Sequence, residues 1–109
     1  FFNKLSDTFV VQKLDKNLTH SYQMYTILMK AKYRDNLLYY LQSKNIEASV
    51  HFDPPLHLQK YLRKFKKKLK NTEKLAIELI TLPVYPDLSF GEVNKILTTI
   101  KIWYKKIKK

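Results

Sequence analysis

The sequence predicts a single domain of mixed α and β structure. Along its 109 residues, the spacing of apolar side chains switches several times between the two-residue period of a strand and the longer period of a helix. Prolines at 54–55, 83 and 86 interrupt these segments and indicate where they end. A chain of this length buries about two thirds of its unfolded surface in one core, so we expect one domain over residues 1–109.

The first half of the chain predicts a strand, a helix and a second strand. The aromatic and β-favouring run 22–28, YQMYTIL, is typical of a strand that packs on at least one face. Leucines at helical spacing predict a helix over 34–44. Residues 45–52, NIEASVHF, alternate apolar and polar side chains, which predicts a half-buried strand. Pro54 and Pro55 end it, because neither residue can donate a hydrogen bond to a neighbouring strand.

Two further helices are predicted after these prolines. Residues 56–65 predict a short helix whose inward-facing side chains are Leu58, Leu62 and Phe65. The basic run 66–70 follows as a loop or a frayed helical end. Thr72 is a suitable N-cap for the next helix, and Glu73 lies in its first turn. The apolar positions of that helix are Leu75, Ile77, Leu79 and Ile80.

The C-terminal part of the chain predicts a connection and then a long helix. Two prolines exclude a continuous helix through 81–89, TLPVYPDLS, so this stretch is expected to be extended or turning. Ser89 and Glu92 match the S-x-x-E capping box that begins a helix. Its apolar stripe comprises Val93, Ile96, Leu97, Ile100 and either Trp103 or Tyr104.

The net charge of +12 raises the possibility of a nucleic-acid-binding protein. Basic residues cluster in 60–70, KYLRKFKKKLK, and in 101–109, KIWYKKIKK. Arg34 and Arg63 are nevertheless the only arginines against nineteen lysines, whereas the recognition of bases and phosphates favours the planar guanidinium. We therefore favour solvated lysine faces, and a phosphate-binding surface stays open as the alternative.

Three features bear on where the protein acts. The chain starts at Phe1 without the cationic and apolar regions of a secretory signal, so we expect it to be part of a longer polypeptide. No apolar run approaches the roughly 18 residues that span a bilayer. The sequence contains no cysteine for a disulfide or a thiolate zinc site. We expect a cytoplasmic domain with no membrane partner.

Three segments in a fixed order resemble the C-terminal part of DegT-type, or StrS-like, aminotransferases. They are HSYQMYTI (20–27), RDNLLYYLQSKNIEASVHFDPPLHLQKY (34–61) and EKLAIELITLPVYPDLSFGEVNKI (73–96). The resemblance rests on order and spacing together and covers about residues 1 to 100. It implies an α+β fold with a small, mainly antiparallel sheet covered by helices, like the C-terminal small domain of fold-type I pyridoxal-phosphate aminotransferases.

The resemblance also implies a set of substrate-binding residues. In this family a V-H-Y segment and the proline loop after it border the active-site cleft near the bound sugar nucleotide. Here His51 matches the histidine, and Phe52 replaces the usual tyrosine, which removes a hydroxyl that can hydrogen-bond a sugar or phosphate oxygen. His57 in the following loop, and His20 and Tyr22 near the first strand, complete the candidate set.

Most of these residues also have a purely structural interpretation. His20 is equally typical of a surface or capping residue, His57 can cap the following helix, and Tyr22 can be a core aromatic. The spacing of His51, Asp53 and His57 fits no strong metal-site pattern, so we expect no metal. Asn45 stands where the family usually has glycine, and asparagine tolerates the left-handed turn expected there.

The catalytic machinery that the resemblance implies lies outside this chain. The family's Schiff-base lysine, the aspartate that holds the pyridine nitrogen and most phosphate-binding groups belong to a preceding large domain, and no motif here matches them. The single glycine, Gly91, excludes a glycine-rich phosphate loop. We therefore assign no catalytic or cofactor-binding residue, and we expect the fragment alone to be inactive and to bind no cofactor.

For the full-length enzyme, the resemblance implies pyridoxal phosphate as cofactor and a homodimeric assembly in which this domain docks on its own large domain. The substrates are a nucleotide-linked keto-sugar and an amino donor, glutamate in the family. Nucleic acid is not an expected partner on this interpretation. The competing hypotheses are a stand-alone basic module that binds nucleic acid or acidic partners, and a truncated product that folds but binds no substrate.

Overall fold

The structure, a computed structural model, describes all residues 1–109 and has an α+β architecture. Three strands form one antiparallel sheet in the order β1-β2-β3: β1 Phe9–Val11, β2 Tyr25–Met29 and β3 Leu79–Leu82. Three α-helices accompany the sheet: α1 Ala31–Gln42, α2 Lys70–Glu78 and α3 Phe90–Ile107. Three short 3-10 helices complete the chain: Phe2–Leu5, Leu56–Leu58 and Lys60–Phe65. The predicted fold class, an antiparallel sheet with helices, is confirmed.

The register of the sheet directs alternate residues of β2 and β3 into the core. Ile27 of β2 lies opposite Ile80 of β3, and both side chains are almost completely buried. On the other side of β2, Phe9 of β1 pairs with Met29, and these two side chains are also buried. This two-residue alternation is what a sheet with one well-covered face requires.

Helices α1 and α3 supply the helical half of the core. Leu37 and Leu41 of α1 and Ile100 of α3 are completely buried, at the helical spacing that the sequence predicted. Trp103 of α3 is buried as well, and its indole Nε1 donates a hydrogen bond of 2.7 Å to Oδ1 of Asn36 on α1. The two helices are thus joined by apolar packing and by one side-chain hydrogen bond.

The capping box predicted at the start of α3 is confirmed. Glu92 N–H donates to Ser89 Oγ at 3.2 Å, and Ser89 N–H donates to Glu92 Oε2 at 2.8 Å. Hydrogen bonds from the Ser89 side chain and backbone, and then from Tyr85, hold the pKa of Glu92 below its ordinary value. The carboxylate is therefore favoured in the folded state.

Two strands and one helix start differ from the predictions. The prediction missed β1 and assigned Leu79 and Ile80 to the preceding helix, whereas both lie in β3. The chain turns to extended geometry at Leu79, where ψ is 137°, because pairing with β2 replaces the local helical preference. Thr72 is not the N-cap: α2 begins at Lys70 after Leu69, and Glu73 still lies in its first turn.

The prediction of a strand over 45–52 is wrong, although its burial pattern is right. Only Ser49 makes a bridge, to Thr81 of β3. Ile46 and Ala48 are buried as predicted, but Ala48 N–H donates to Ile46 O at 2.8 Å, a tight three-residue turn that prevents an extended strand. Asn45 has φ of 54°, the left-handed conformation expected at this position.

The short helix predicted over 56–65 is replaced by two 3-10 helices. They are separated at Gln59, whose ψ of 142° is extended. Leu58 and Phe65 are exposed and only Leu62 is half-buried, so the prediction that all three turn inward is wrong. A single α-helix had no continuous apolar stripe to bury here, because basic residues interrupt the pattern.

No helix of the chain is both long and apolar enough to cross a membrane.

The two isoleucines at positions 100 and 102 of α3 allow a matched test of the core. Ile100 is 0% exposed and Ile102 is 46% exposed. We expect Ile100→Ala to lower the free energy of unfolding by roughly 2 to 5 kcal/mol, because the lost packing leaves a cavity. Ile102→Ala should lower it by less than about 1 kcal/mol. Urea unfolding measures both values, and equal losses would contradict this description of α3.

The capping box predicts a pH-dependent contribution from Glu92. Because its pKa is depressed in the folded state, its stabilisation is present above the ordinary value of 4.5 and is lost as the pH falls through the folded pKa. Glu92→Gln should therefore lower the melting temperature at neutral pH and have little effect in strong acid. Asp87→Asn, which removes a nearby carboxylate without a hydrogen bond, is the control. A Glu92→Gln effect that stays constant across this pH range would refute the mechanism.

Candidate functional site

Residues 46–53 are held at the edge of the sheet beside β3. Ser49 N–H donates to Thr81 O at 3.0 Å, and Thr81 N–H donates to Ser49 O at 2.9 Å. Ile46 and Ala48 fix the start of this segment because both side chains are buried in the core. The backbone that leads to His51 is therefore positioned by the sheet and by the core together.

A buried arginine fixes the far end of the same segment. Arg34 lies on α1 and is 6% exposed, and its guanidinium NH2 group donates to Asp53 Oδ2 at 2.8 Å. Its Nε lies 2.7 Å from Asp35 Oδ1, but the two groups are not aligned for a hydrogen bond, so this second contact is an ion pair only. A buried guanidinium needs such partners, because an unpaired buried charge is strongly destabilising.

Between the bridge and this arginine, the chain forms an exposed corner at His51 and Phe52. The ring of Phe52 is 68% exposed, and its φ of 62° is rare for a residue with a side chain. His51 Nε2 lies 3.0 Å from Ser49 Oγ, and the two rings of the corner are 6.3 Å apart. Backbone strain of this kind is typical of functional loops, and it persists only where the surroundings impose it.

His57 has a defined partner within the fold. Its Nε2 lies 3.2 Å from Glu73 Oε1, and the histidine side chain is mostly buried. Glu73 also accepts a hydrogen bond of 2.9 Å from Leu69 N–H. This backbone contact, and then the contact with His57, lowers the pKa of Glu73. The pair ties the 3-10 segment to the start of α2, and a role of His57 in substrate binding stays a prediction.

His20 and Tyr22 form a compact pair before β2. His20 Nδ1 accepts a hydrogen bond of 2.8 Å from Tyr22 N–H, and the two rings are 4.5 Å apart. Tyr22 has φ of 50°, and it is exposed rather than a core aromatic. The pair lines a hollow of about 120 Å³ together with Gln12 and Thr26.

The five candidate residues do not form one cluster in this chain. His20 and Tyr22 share their hollow with residues that flank β1 and β2, whereas His51 follows the bridge to β3 on the opposite edge of the sheet. His57 contacts α2. The hydrogen bonds and ring contacts of these residues do not join one group to another. The corner at His51 and Phe52 is the group presented most openly for a ligand.

The residues of this chain do not fit a pyridoxal-phosphate site. All nineteen lysines are exposed, so none is desolvated in the way that activates a lysine for a Schiff base. The hollow with the most apolar lining, about 480 Å³, is lined by side chains such as Phe2, Leu82 and Leu97, and it has no cationic side chain and no glycine-rich loop for a phosphate. No group of three or more His, Cys, Asp or Glu side chains is arranged to hold a metal ion.

Comparison with known proteins identifies the family of this chain. Residues 2–101 match the model of the DegT/DnrJ/EryC1/StrS aminotransferase family, and the chain belongs to that family. A crystal structure of a DegT DnrJ EryC1 StrS aminotransferase from Brucella abortus has the same fold, with a TM-score of 0.82 and 27% sequence identity over 94% of this chain. The family resemblance seen in the sequence is confirmed.

Two curated relatives are similar to this chain in sequence. One is the UDP-4-amino-4-deoxy-L-arabinose–oxoglutarate aminotransferase of Shewanella sediminis, which is 35% identical over 75 residues, or 62% of this chain. The other is the pleiotropic regulatory protein of Geobacillus stearothermophilus, which is 30% identical over 104 residues, or 93% of this chain. The chain covers 19% and 27% of these two proteins and 28% of the Brucella structure. It therefore corresponds to about a quarter of a family member.

Sequence reasoning missed the role of Arg34 and Asp53, although a signal was present. Arg34, Leu37, Leu38 and Leu41 lie on one helical face, because they are spaced by three, four and seven residues. A cation on the buried face of a helix requires a carboxylate partner. Asp53, in the loop beside the candidate corner, is the carboxylate that pairs with Arg34.

The two arginines of the chain provide a matched test of this anchor. Arg34→Met should lower the free energy of unfolding by about 1 to 3 kcal/mol, because two carboxylates lose their buried partner. It should also increase hydrogen exchange at the amides of Ser49 and Thr81, which bridge the anchored segment to β3. Arg63→Met, on the exposed 3-10 helix, should change stability by less than about 0.5 kcal/mol. Unchanged exchange at both amides in Arg34→Met would show that Arg34 does not hold the loop.

Proposed function

We propose that this chain is the substrate-facing domain of a pyridoxal-phosphate-dependent aminotransferase that aminates a nucleotide-linked keto-sugar. The observation that carries the proposal is the exposed corner of His51 and Phe52, which lies on an anchored loop within a fold of the DegT/DnrJ/EryC1/StrS family. The name of the Shewanella relative specifies a UDP-linked amino-sugar and oxoglutarate. By analogy, the amino donor is glutamate, which becomes oxoglutarate as the sugar carbonyl becomes an amine.

In this proposal His51 and Phe52 bind and orient the sugar. The imidazole can donate a hydrogen bond to a hydroxyl or accept one from it, and the exposed phenyl ring offers an apolar face against which a sugar ring can lie. Phe52 lacks the hydroxyl of the tyrosine usual in the family, so any polar contact at this corner comes from His51 or from the backbone. Arg34 acts indirectly, because it holds the loop through Asp53.

The chemistry of group transfer is assigned to residues outside this chain. Its lysines are all exposed, and its most apolar hollow has no cationic side chain for a phosphate, so the residues that hold the cofactor are assigned to the rest of the polypeptide. The domain contributes by closing one wall of the cleft and fixing the position of the sugar. His20, Tyr22 and His57 are proposed as secondary substrate contacts, which depend on surfaces that the rest of the enzyme supplies.

Steady-state kinetics of the complete polypeptide tests this role. His51→Ala should raise KM for the nucleotide-linked keto-sugar by about tenfold, the effect of losing one hydrogen bond to the ligand. KM for the amino donor should change by less than about twofold, because the donor half-reaction does not need the sugar contact. His51→Gln should restore part of the loss.

The control for this experiment is Tyr39→Ala, which removes an exposed aromatic ring from α1. It should leave both KM values unchanged. If His51→Ala raises both KM values equally, the histidine supports the fold of the cleft and not the sugar. If it changes neither value, the corner does not face the substrate.

A further inference from the structure

The structure separates the two basic runs of the sequence, which look alike in composition. Residues 56–70, here called the basic apolar segment, contain no acidic residue. They comprise the 3-10 helices Leu56–Leu58 and Lys60–Phe65, the loop that follows and the first residue of α2, Lys70. Its seven basic side chains are all exposed: Lys60, Arg63, Lys64, Lys66, Lys67, Lys68 and Lys70. This charge is concentrated on one short stretch of surface.

Apolar side chains are interleaved with these bases and are also exposed. Leu56 is 69% exposed, Tyr61 is 90% exposed and Phe65 is 63% exposed. The Nζ of Lys64 lies 5.0 Å from the centre of the Phe65 ring, so bases and rings occupy the same surface. An exposed cluster of large apolar side chains of this kind marks an interaction surface.

The basic end of α3, residues 101–109, is built differently. Trp103 is buried, and Ile107 is half-buried against the core. Lys108 pairs with Asp7, and the Nζ of Lys106 lies over the ring of Tyr40 at 5.1 Å. Trp103, Tyr104 and Ile107 of this run therefore serve the fold, Ile102 is its exposed apolar residue, and part of its charge is already matched.

The form of the basic apolar segment favours an extended partner over a small ligand. None of its residues lines any of the four principal hollows of the molecule. Its backbone is held in place by the pair of His57 and Glu73 and by Gln59 Nε2, which donates to Pro54 O at 2.8 Å. The side chains are thus presented outward from a fixed support.

We propose that the basic apolar segment binds the surface of an anionic lipid bilayer. Lysines next to leucine, tyrosine and phenylalanine suit the boundary between charged headgroups and acyl chains, where the rings insert and the ammonium groups stay at the phosphates. Six of the seven bases are lysines, whereas a nucleic-acid surface favours arginine. This peripheral association departs from the expectation of no membrane partner, which rested on the lack of a membrane-spanning run. It goes beyond the proposed aminotransferase role and does not depend on it.

Co-sedimentation of the complete polypeptide with lipid vesicles tests the proposal. The complete polypeptide should bind vesicles of phosphatidylcholine and phosphatidylglycerol in equal parts, should not bind pure phosphatidylcholine, and should lose binding as salt rises. The triple variant Lys66→Gln, Lys67→Gln and Lys68→Gln should lower the partition coefficient at least tenfold, because each lysine near the surface contributes separately to the attraction to anionic lipid. Its matched control, which removes the same charge from the C-terminal run 101–109, replaces Lys101, Lys105 and Lys109 with Gln and should lower the coefficient by less than about threefold.

A second pair of variants separates membrane insertion from charge alone. Tyr61→Ser with Phe65→Ser leaves the charge unchanged and should lower the partition coefficient by about tenfold, because both rings leave the bilayer interface. Tyr39→Ser with Phe90→Ser removes two exposed rings from other parts of the surface and should have little effect. Circular dichroism confirms the fold of each variant, and all the replaced side chains are exposed.

Several results would overturn the proposal. One is the absence of binding to the anionic vesicles at low salt. Equal losses from the two lysine triples would assign binding to net charge and not to the segment, and no loss from the Tyr61 and Phe65 pair would exclude insertion. Binding to single-stranded RNA with a steep salt dependence, without binding to vesicles, would identify a nucleic-acid surface instead.

Discussion

The burial of one face of the sheet against α1 and α3 is the constraint on which the rest of this structure depends. Ile27 and Ile80 face each other across β2 and β3, and Leu41 and Ile100 close over the same core. The same pairing brings Thr81 to the sheet edge, where it receives Ser49. The loop that carries the candidate corner is therefore attached to the most deeply buried part of the chain, which limits its freedom to move.

The candidate corner follows from this arrangement in two steps. The bridge at Ser49 fixes where the loop leaves the sheet, and the buried guanidinium of Arg34 fixes where it returns. Between these two points the chain has too few residues to relax, so Phe52 adopts a left-handed backbone and an exposed side chain. Preorganisation of this kind reduces the entropy that a ligand-binding loop loses when it orders.

Elements with strong local signals could be predicted from the sequence, and elements that depend on distant partners could not. The capping box of Ser89 and Glu92 predicts the start of α3, and the buried apolar residues of α1 and α3 recur at helical spacing. Strand β3 has an apolar pattern that suits a helix equally well, and only pairing with β2 decides between them. The family resemblance indicated His51, but the pairing of Arg34 with Asp53 spans 19 residues and emerges only in the fold.

In the proposed function, this chain shapes the substrate side of an aminotransferase whose chemistry resides elsewhere in the polypeptide. Reduction of the complete polypeptide with borohydride in the presence of pyridoxal phosphate, followed by peptide mass spectrometry, tests this claim most directly. It traps the lysine that holds the cofactor. We predict that the modified lysine lies outside residues 1–109. All nineteen lysines of this chain are exposed, and none is assigned to the cofactor. Stoichiometric modification of one of them would place the cofactor lysine within this chain and contradict the claim.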